Sequence, residues 1–438
     1  MSASKKVIVC HCMDVEGPME ETVSATWERL LEEDGLQVEH TPSSENLVLL
    51  QNCELDLGLD KDRLEYLSKK YSKHNLDYLK SWKEIDAAFS KINDIDFRQK
   101  YSSPLGTPYL INWFVYDHYG FKTNPRFHDD GIHHIFDHYN SSWLDNKTVD
   151  DGLYWHYHHP PASGDAVEWN TNLFQNGVYE EILARRIIER NWFPSTFRAG
   201  GHIERNDLNF WLEMFIPFDF SSRTPSNLDD FDNRADVCDW RHSPKAWGSY
   251  SPNFYDYRKT GDMKRKLFRC LDLRTWITQI TEDEVRQAFL QSRSSANPIV
   301  LAYYNHDYRD ISSDIEFGHE LLSRIGKEFD DVQWDYSNCL SAARASLGMQ
   351  KEEYKKLSIE TYLEGNLLTV KSNFNTFGPQ PFLAIQENGK FFRDNFTDEG
   401  NNTWCYRFRK IANVERYGVA ANDKFGNTAI TTSDLRYA

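Results

Sequence analysis

The first apolar run, Val7 to Met13 (VIVCHCM), carries no net charge and reads as a buried strand. It empties into Asp14, Val15, Glu16 and Gly17. Side chains alternate along an extended chain, so Asp14 and Glu16 leave the carboxyl end of this strand on one side. Leu64, Leu67 and Tyr71, then Ile85, Phe89 and Ile92, recur at helical spacing and predict helices covering the first strand. Residues 109–116 (YLINWFVY) read as a second strand, and a His-rich helical segment follows at 130–139. Gly152 to Tyr157 reads as a short strand before a polar loop at 160–171.

Val178, Ile182, Leu183 and Ile187 mark the inner side of a helix over 178–191. Short strands are predicted at 194–197, ending in Arg198, Ala199, Gly200 and Gly201, and at 215–220, ending in Ser221, Ser222 and Arg223. Thr281 and Glu284 form a capping box ahead of Val285, Ala288 and Phe289. Residues 298–304 (PIVLAYY) make the next buried strand, which ends in Asn305, His306 and Asp307.

Strands alternating with helices imply an α/β fold with a mainly parallel sheet, open or closed into a barrel. In such folds the working residues gather at the carboxyl ends of the strands, where these polar groups fall. Past residue 350 the texture changes to short alternating segments. Turn signals lie at Glu364 to Asn366, Asn388 and Gly389, and Asn422 to Gly426, and predict an all-β sandwich. Two domains, 1–348 and 350–438, suit a chain of 438 residues.

A formal charge of −17 argues against a nucleic-acid partner. Aromatic residues make up 14% of the chain, and its Trp and Tyr side chains could stack on sugar rings or simply fill a core. Seven scattered cysteines without a Cys-x-x-Cys pair read as reduced thiols, which points to the cytoplasm. The first apolar run is interrupted by His11, ends at Asp14 and has no small-residue cleavage site. It is therefore expected to be a core strand and not a secretion signal. No run approaches the roughly 18 apolar residues of a membrane span. Oligomeric state is left open.

Candidate chemistry concentrates in Trp155, His156, Tyr157, His158, His159 and Pro160. On an extended segment His156 and His158 project to one side and could reach one ion, with His159 turned away. Imidazole with carboxylate suits Zn²⁺ or a similar first-row ion. The plainer reading is a surface histidine tract. A rival pair, His134 and His138, shares a helix face at i, i+4 but lacks the Glu of the His-Glu-x-x-His signature. Arg198 is suited to orienting a carboxylate or binding a substrate oxygen, and the glycines after it let backbone approach a ligand. Asp236, Cys238, Asp239 and Trp240 offer two acids and an indole that could fix that arginine and wall a sugar pocket, or else form a turn. His306 is a candidate general acid, or a histidine held by Asp307.

Together these residues resemble the polysaccharide deacetylase family, metal-dependent carbohydrate esterases on a distorted (β/α) barrel. Asp14 and Glu16 match the Asp-x-Glu form of its first motif, and the WHYHHP stretch occupies the place of its two metal-binding histidines. Phe197, Arg198, Ala199 and Gly200 match the third motif, Asp236, Asp239 and Trp240 the fourth, and His306 the fifth, all in family order. Proline at position 160 departs from the family's His-x-x-x-His, so His156 pairs with His158 or with His159.

The resemblance implies such a barrel followed by an Ig-like β-sandwich, with a divalent metal, Zn²⁺ first, held by Glu16, His156 and His158. Asp14 and His159 are the alternate ligands. Asp14 is then the base, His306 the acid, and Arg198 with Asp236 or Asp239 sets the ionisation of Asp14. Trp155, Trp240 and Arg198 are the candidate substrate contacts. The implied reaction removes an N-acetyl or N-formyl group from an amino sugar in a surface-polysaccharide or glycoconjugate precursor. The alternatives are a metal-free glycoside hydrolase on the same barrel and an inactive carbohydrate-binding protein.

Overall fold

The computed structural model describes residues 5–141, 149–166, 176–224, 239–274, 279–351 and 354–436. Among the described residues, nine strands precede the C-terminal unit: β1 (Lys6–Val15), β2 (Ile111–Val115), β3 (Gly152–Tyr157), β4 (Thr196–Ala199), β5 (Phe218–Ser222), β6 (Ser249–Tyr250), β7 (Lys266–Asp272), β8 (Ile299–His306) and β9 (Gln333–Tyr336). Seven of them pair in parallel in the order β2-β3-β4-β5-β7-β8-β1, and β1 pairs back to β2, which closes a barrel. Both partners of β1 need its carboxyl half. Residues His11–Val15 pair with β2, while Lys6–Val9 are left for β9 outside the ring.

Strand alternation sorts β1 into two faces. Ile8, Cys10 and Cys12 point into the barrel, against Phe220, Phe268 and Cys270. Val7, Val9 and Met13 point out and pack on Ile85, Phe89 and Ile92 of the helix Trp82–Asn93. The helix Cys339–Ser346 seals the amino-terminal mouth: the Cys339 N–H donates to Asn112 Oδ1 (2.6 Å) and the Leu340 N–H to the Tyr154 hydroxyl (3.0 Å).

One predicted covering helix does something else. Leu67 and Tyr71 pack with Trp27, Leu30 and Leu50 in a separate small core made by the helices Val23–Glu32, Ser44–Gln51 and Lys61–Lys70. Buried ion pairs tie that unit together, Arg29 with Glu21 (2.9 Å) and Lys70 with Asp34 (2.9 Å). At the helix Glu282–Ser294, Thr281 caps the Glu284 N–H as expected, but the Glu284 carboxylate grips Arg269 on β7 through two 2.6 Å bonds. A tertiary partner has taken the glutamate side chain from the local box.

The C-terminal unit is a sandwich of two four-stranded antiparallel sheets. One joins β10 (Ile359–Glu364), β11 (Leu367–Ser372), β14 (Thr397–Gly400) and β15 (Thr403–Arg407). The other joins β12 (Phe382–Glu387), β13 (Lys390–Asp394), β16 (Val414–Asn422) and β17 (Thr428–Asp434). Asn388 and Gly389 turn with φ of 50° and 74°, which fits the positive-φ hairpin that an Asn-Gly pair favours.

The sandwich docks on the barrel flank. Phe382, Ala384 and Ala420 share a core with Ile187 and Ile188 of the helix Val178–Arg190. Asn422 donates to the carbonyls of Pro194 (2.7 Å) and Phe215 (3.0 Å), both just ahead of barrel strands and so at the end away from the carboxyl mouth. Among the described residues, no helix is long and apolar enough to cross a membrane.

Candidate metal centre

Strand register assembles the site. Asp14 on β1 lies beside His306 on β8, and His156 on β3 beside Arg198 on β4. All four point into the mouth of the barrel, two residues beyond the last apolar layer. Glu16, two residues past Asp14, joins them from the loop after β1.

Glu16, His156 and His158 bring one ligand atom each within 4.8 Å of one another. His156 Nε2 lies 3.0 Å from His158 Nε2, and Glu16 Oε1 lies 3.7 Å from the first and 3.4 Å from the second. Two nitrogens on a tetrahedral zinc sit roughly 3.3 Å apart, so the spacing fits one ion. The donor set fits as well. His156 Nδ1 sits 3.2 Å from the Arg198 carbonyl, which can only accept, so Nδ1 carries the proton and Nε2 presents its lone pair to the cluster.

Two features hold this geometry. A methyl group at position 200 would lie 2.3 Å from ring carbons of His158, so Gly200 leaves the space that the imidazole fills. Asp307, buried behind the site, accepts the backbone N–H groups of Glu16 (2.8 Å) and Gly17 (2.9 Å) and the hydroxyl of Tyr139 (2.7 Å). It therefore fixes the loop that carries Glu16, not His306. Burial pushes the Asp307 carboxyl up to about 7, against the pull of those donors.

Charge is strongly organised here. Arg198 is fully buried and binds Asp14 through Nε to Oδ1 (2.6 Å) and Nη2 to Oδ2 (2.8 Å). Burial raises the Asp14 carboxyl, but Arg198 and the imidazoles of His156 and His306 outweigh it and hold the group below its ordinary range. Glu16 is held well below its own range, because His158, His156 and His306 outweigh its burial. His306 Nε2 stands 3.9 Å from Glu16 Oε1, and burial brings that imidazole down to about 4.

The remaining candidate residues fall elsewhere. Arg198 reaches no solvent, so it orients a carboxylate and offers nothing to a substrate. Trp155 faces outward, against Phe197 and Trp211 in the helix-covered core, because it alternates with the inward His156. Trp240 is buried on Tyr257 and donates to the His202 carbonyl (3.0 Å), outside the cleft lining. Asp239 pairs with Arg241 (2.9 Å) and Arg258 (3.4 Å), not with Arg198, whose guanidinium is already taken by Asp14. Asp236 and Cys238 lie outside the described residues. His159 stays out of the ligand cluster, with its Nδ1 2.8 Å from the Tyr157 hydroxyl, although it lines the same cleft. The rival pair separates: His134 meets Asp129 (3.0 Å), and His138 meets Asp86 (2.8 Å) and stacks on Trp82.

The cluster opens into a cleft of about 840 Å³, solvent included, between residues 116–128 and 200–208. Tyr116, His118 and His128 line it and were not singled out in the sequence. Tyr116 and His118 continue the inward alternation of Phe114 on β2, a legible signal. His128 comes from a loop and carries none. Its Nε2 is 3.9 Å from Glu16 Oε2, and burial holds its imidazole down at about 3.

No family model and no curated protein matches the chain. Among solved structures, a protein described as a glycoside hydrolase/deacetylase from Parabacteroides distasonis is 8% identical, over 90% of this chain and 86% of its own, with a TM-score of 0.33. A modular endo-β-1,4-mannanase from Cellulomonas fimi is 9% identical over 99% and 94%, with a TM-score of 0.27. A carbohydrate acetylesterase from Xanthomonas citri is 10% identical over 68% and 63%, with a TM-score of 0.15. Likenesses this remote carry no weight for function, which has to be read from the site.

Proposed function

We propose that this protein is a metal-dependent hydrolase of the polysaccharide deacetylase type, removing an N-acetyl or N-formyl group from an amino sugar. The observation that carries the reading is the convergence of Glu16, His156 and His158, with Asp14 on one side and His306 on the other. A hydrolase of amide bonds needs an activated water, an acceptor for its proton and a donor for the departing amine. When bound, a divalent ion, zinc first, lowers the pKa of a water toward about 7 and polarises the acyl carbonyl.

In this proposal the chain's own groups divide the remaining work. Glu16 and the Nε2 atoms of His156 and His158 hold the ion. Asp14, kept ionised by Arg198, takes the proton from the water. His306 delivers a proton to the amine nitrogen as the C–N bond breaks. The imidazole is neutral at rest and receives from Asp14 the proton that the water released before giving it to the nitrogen; the water's second proton, lost as the acyl hydroxyl ionises, completes the ammonium. The amine leaves protonated and the acyl group leaves as a carboxylate, which balances one water consumed.

The substrate we assign is an acylated amino sugar within a surface-polysaccharide or glycoconjugate precursor, met in the cytoplasm. A metal-free retaining glycosidase would need a second free carboxyl group about 5 Å from the first. Arg198 engages both oxygens of Asp14, which leaves lone pairs for a proton but disfavours covalent attack on a sugar carbon by that carboxylate. The direct test is release of acetate or formate from a panel of acylated aminosugar nucleotides and lipid-linked sugars, with and without chelator. Release that the chelator abolishes is expected; release unaffected by it contradicts the proposal.

A further inference from the structure

Beside the cleft the chain displays two aromatic rings that the barrel does not need for its core. Phe254 is 52% exposed and Tyr255 79%, on a loop whose backbone is firmly held. The Asn253 N–H donates to the Lys259 carbonyl (2.7 Å), the Gly261 N–H to the Ser251 carbonyl (2.8 Å), and Asn253 Oδ1 accepts the Tyr255 N–H (2.9 Å). A side chain at 261 would meet Asn253 Cα at 2.4 Å, so glycine is required for that close pairing. Phe254 is further stacked on Phe210, with ring centroids 4.4 Å apart.

The loop is continuous with the cleft wall. Asn206, first residue of the helix Asn206–Phe215, bonds the Tyr255 carbonyl through its amide and accepts the Tyr257 N–H (3.1 Å). Its neighbours in sequence, Arg205 and Asp207, line the cleft that holds Glu16 and His158. The helix start therefore ties the loop that carries the rings to the wall of the cleft.

We infer that Phe254 and Tyr255 form a platform for a glycan chain, gripping sugar units beyond the one presented to Glu16, His156 and His158. This rests on the carbohydrate reading proposed above. An aromatic face carries negative quadrupole charge and suits the weakly positive C–H face of a pyranose ring. Phe254 is already stacked on Phe210 and Tyr255 stands edge-on to Phe254, with centroids 5.1 Å apart, so the pair offers two faces at an angle to a twisting chain at a modest ordering cost. Charge excludes ionic partners: over residues 251–263 Arg258 and Lys259 are matched in number by Asp256 and Asp262, and both cations pair with Asp256, at 2.9 and 3.4 Å, so the loop carries no net charge to attract a nucleic acid, an acidic peptide or a lipid surface. An uncharged, hydroxyl-rich polymer fits that surface.

The test titrates chelator-treated full-length protein with N-acetylglucosamine and with its tetrasaccharide, by calorimetry. Two stacking rings predict roughly tenfold tighter binding of the tetrasaccharide. The Phe254→Ala/Tyr255→Ala variant should lose that preference while keeping its circular dichroism and its metal stoichiometry. Equal affinity for both sugars in the wild type, or a preference retained in the variant, overturns the platform. Concentration-dependent sedimentation abolished in the variant would assign the rings to a second copy of the chain and also overturns it. Acyl release is assayed separately on metal-loaded protein. Chain preference without release keeps the platform and removes the hydrolase, and release without chain preference does the reverse.

Discussion

Arg198 and Asp14 meet as a fully buried, two-pronged ion pair at the mouth of the barrel, 184 residues apart in sequence. The guanidinium fork matches the carboxylate geometry, and the remaining Nη1 donates to the Phe220 carbonyl. The pair spans three strands and fixes both carboxylate oxygens of Asp14.

Removing one partner leaves an uncompensated buried charge, at a cost of about 3–5 kcal/mol. Arg198→Met should therefore lower the urea unfolding free energy by that order. Arg198→Met with Asp14→Leu should recover much of the loss. Equal stabilities for the wild type and the single variant would show that the pair contributes nothing to the fold.

Gly200→Ala should displace the His158 ring while leaving all three ligand side chains in the sequence. Loss of an orienting contact around a metal typically costs 10–100-fold in affinity. A zinc affinity measured by competition with a chromophoric chelator should fall by about that factor, and unchanged affinity would mean His158 is no ligand.

Asp307→Asn removes one acceptor and adds a donor where three donors already converge. The same competition assay should show weakened metal binding through a displaced Glu16. Tyr139→Phe, which deletes a single hydroxyl from the set, should weaken binding less. The opposite ranking would locate the support for Glu16 elsewhere.

His11 gives a pH prediction remote from the ligands. It is fully buried, with the Tyr109 hydroxyl at 2.9 Å from Nδ1 and Asn305 Oδ1 at 2.7 Å from Nε2, and burial brings its pKa from 6.5 to about 4. The fold keeps the neutral form, whereas the unfolded chain takes up a proton below 6.5. Its contribution is thus complete above pH 6.5 and lost as pH falls toward 4, amounting to roughly 3 kcal/mol. Urea unfolding at pH 7 and pH 4 should show a larger acid loss in the wild type than in His11→Gln. Parallel losses would refute it.

Much of this was legible in the sequence because apolar runs ending in polar residues mark barrel strands. The alternation that places His156 and His158 together also turns Trp155 outward, so its failure as a sugar contact could have been read from the same rule. β7 escaped notice because Lys266, Arg269 and Asp272 break up its apolar pattern; buried Arg269 is tolerated through Glu284, on the following helix, and the Thr224 carbonyl, neither of which the run itself reveals. β9 is four residues long and contributes no recognisable run. Asp307 was invisible as a support because its partners are backbone N–H groups, which sequence does not distinguish. The pairing of Asp239 was misassigned since Arg241 and Arg258 lie nearer in the fold than Arg198 does.

Whether Glu16, His156 and His158 hold one ion can be measured directly. Elemental analysis of zinc-loaded, desalted protein should find one equivalent in the wild type and less than about a tenth of that in folded His156→Ala/His158→Ala, the loss expected when two of three ligands go. Full metal occupancy in the double variant would contradict the account.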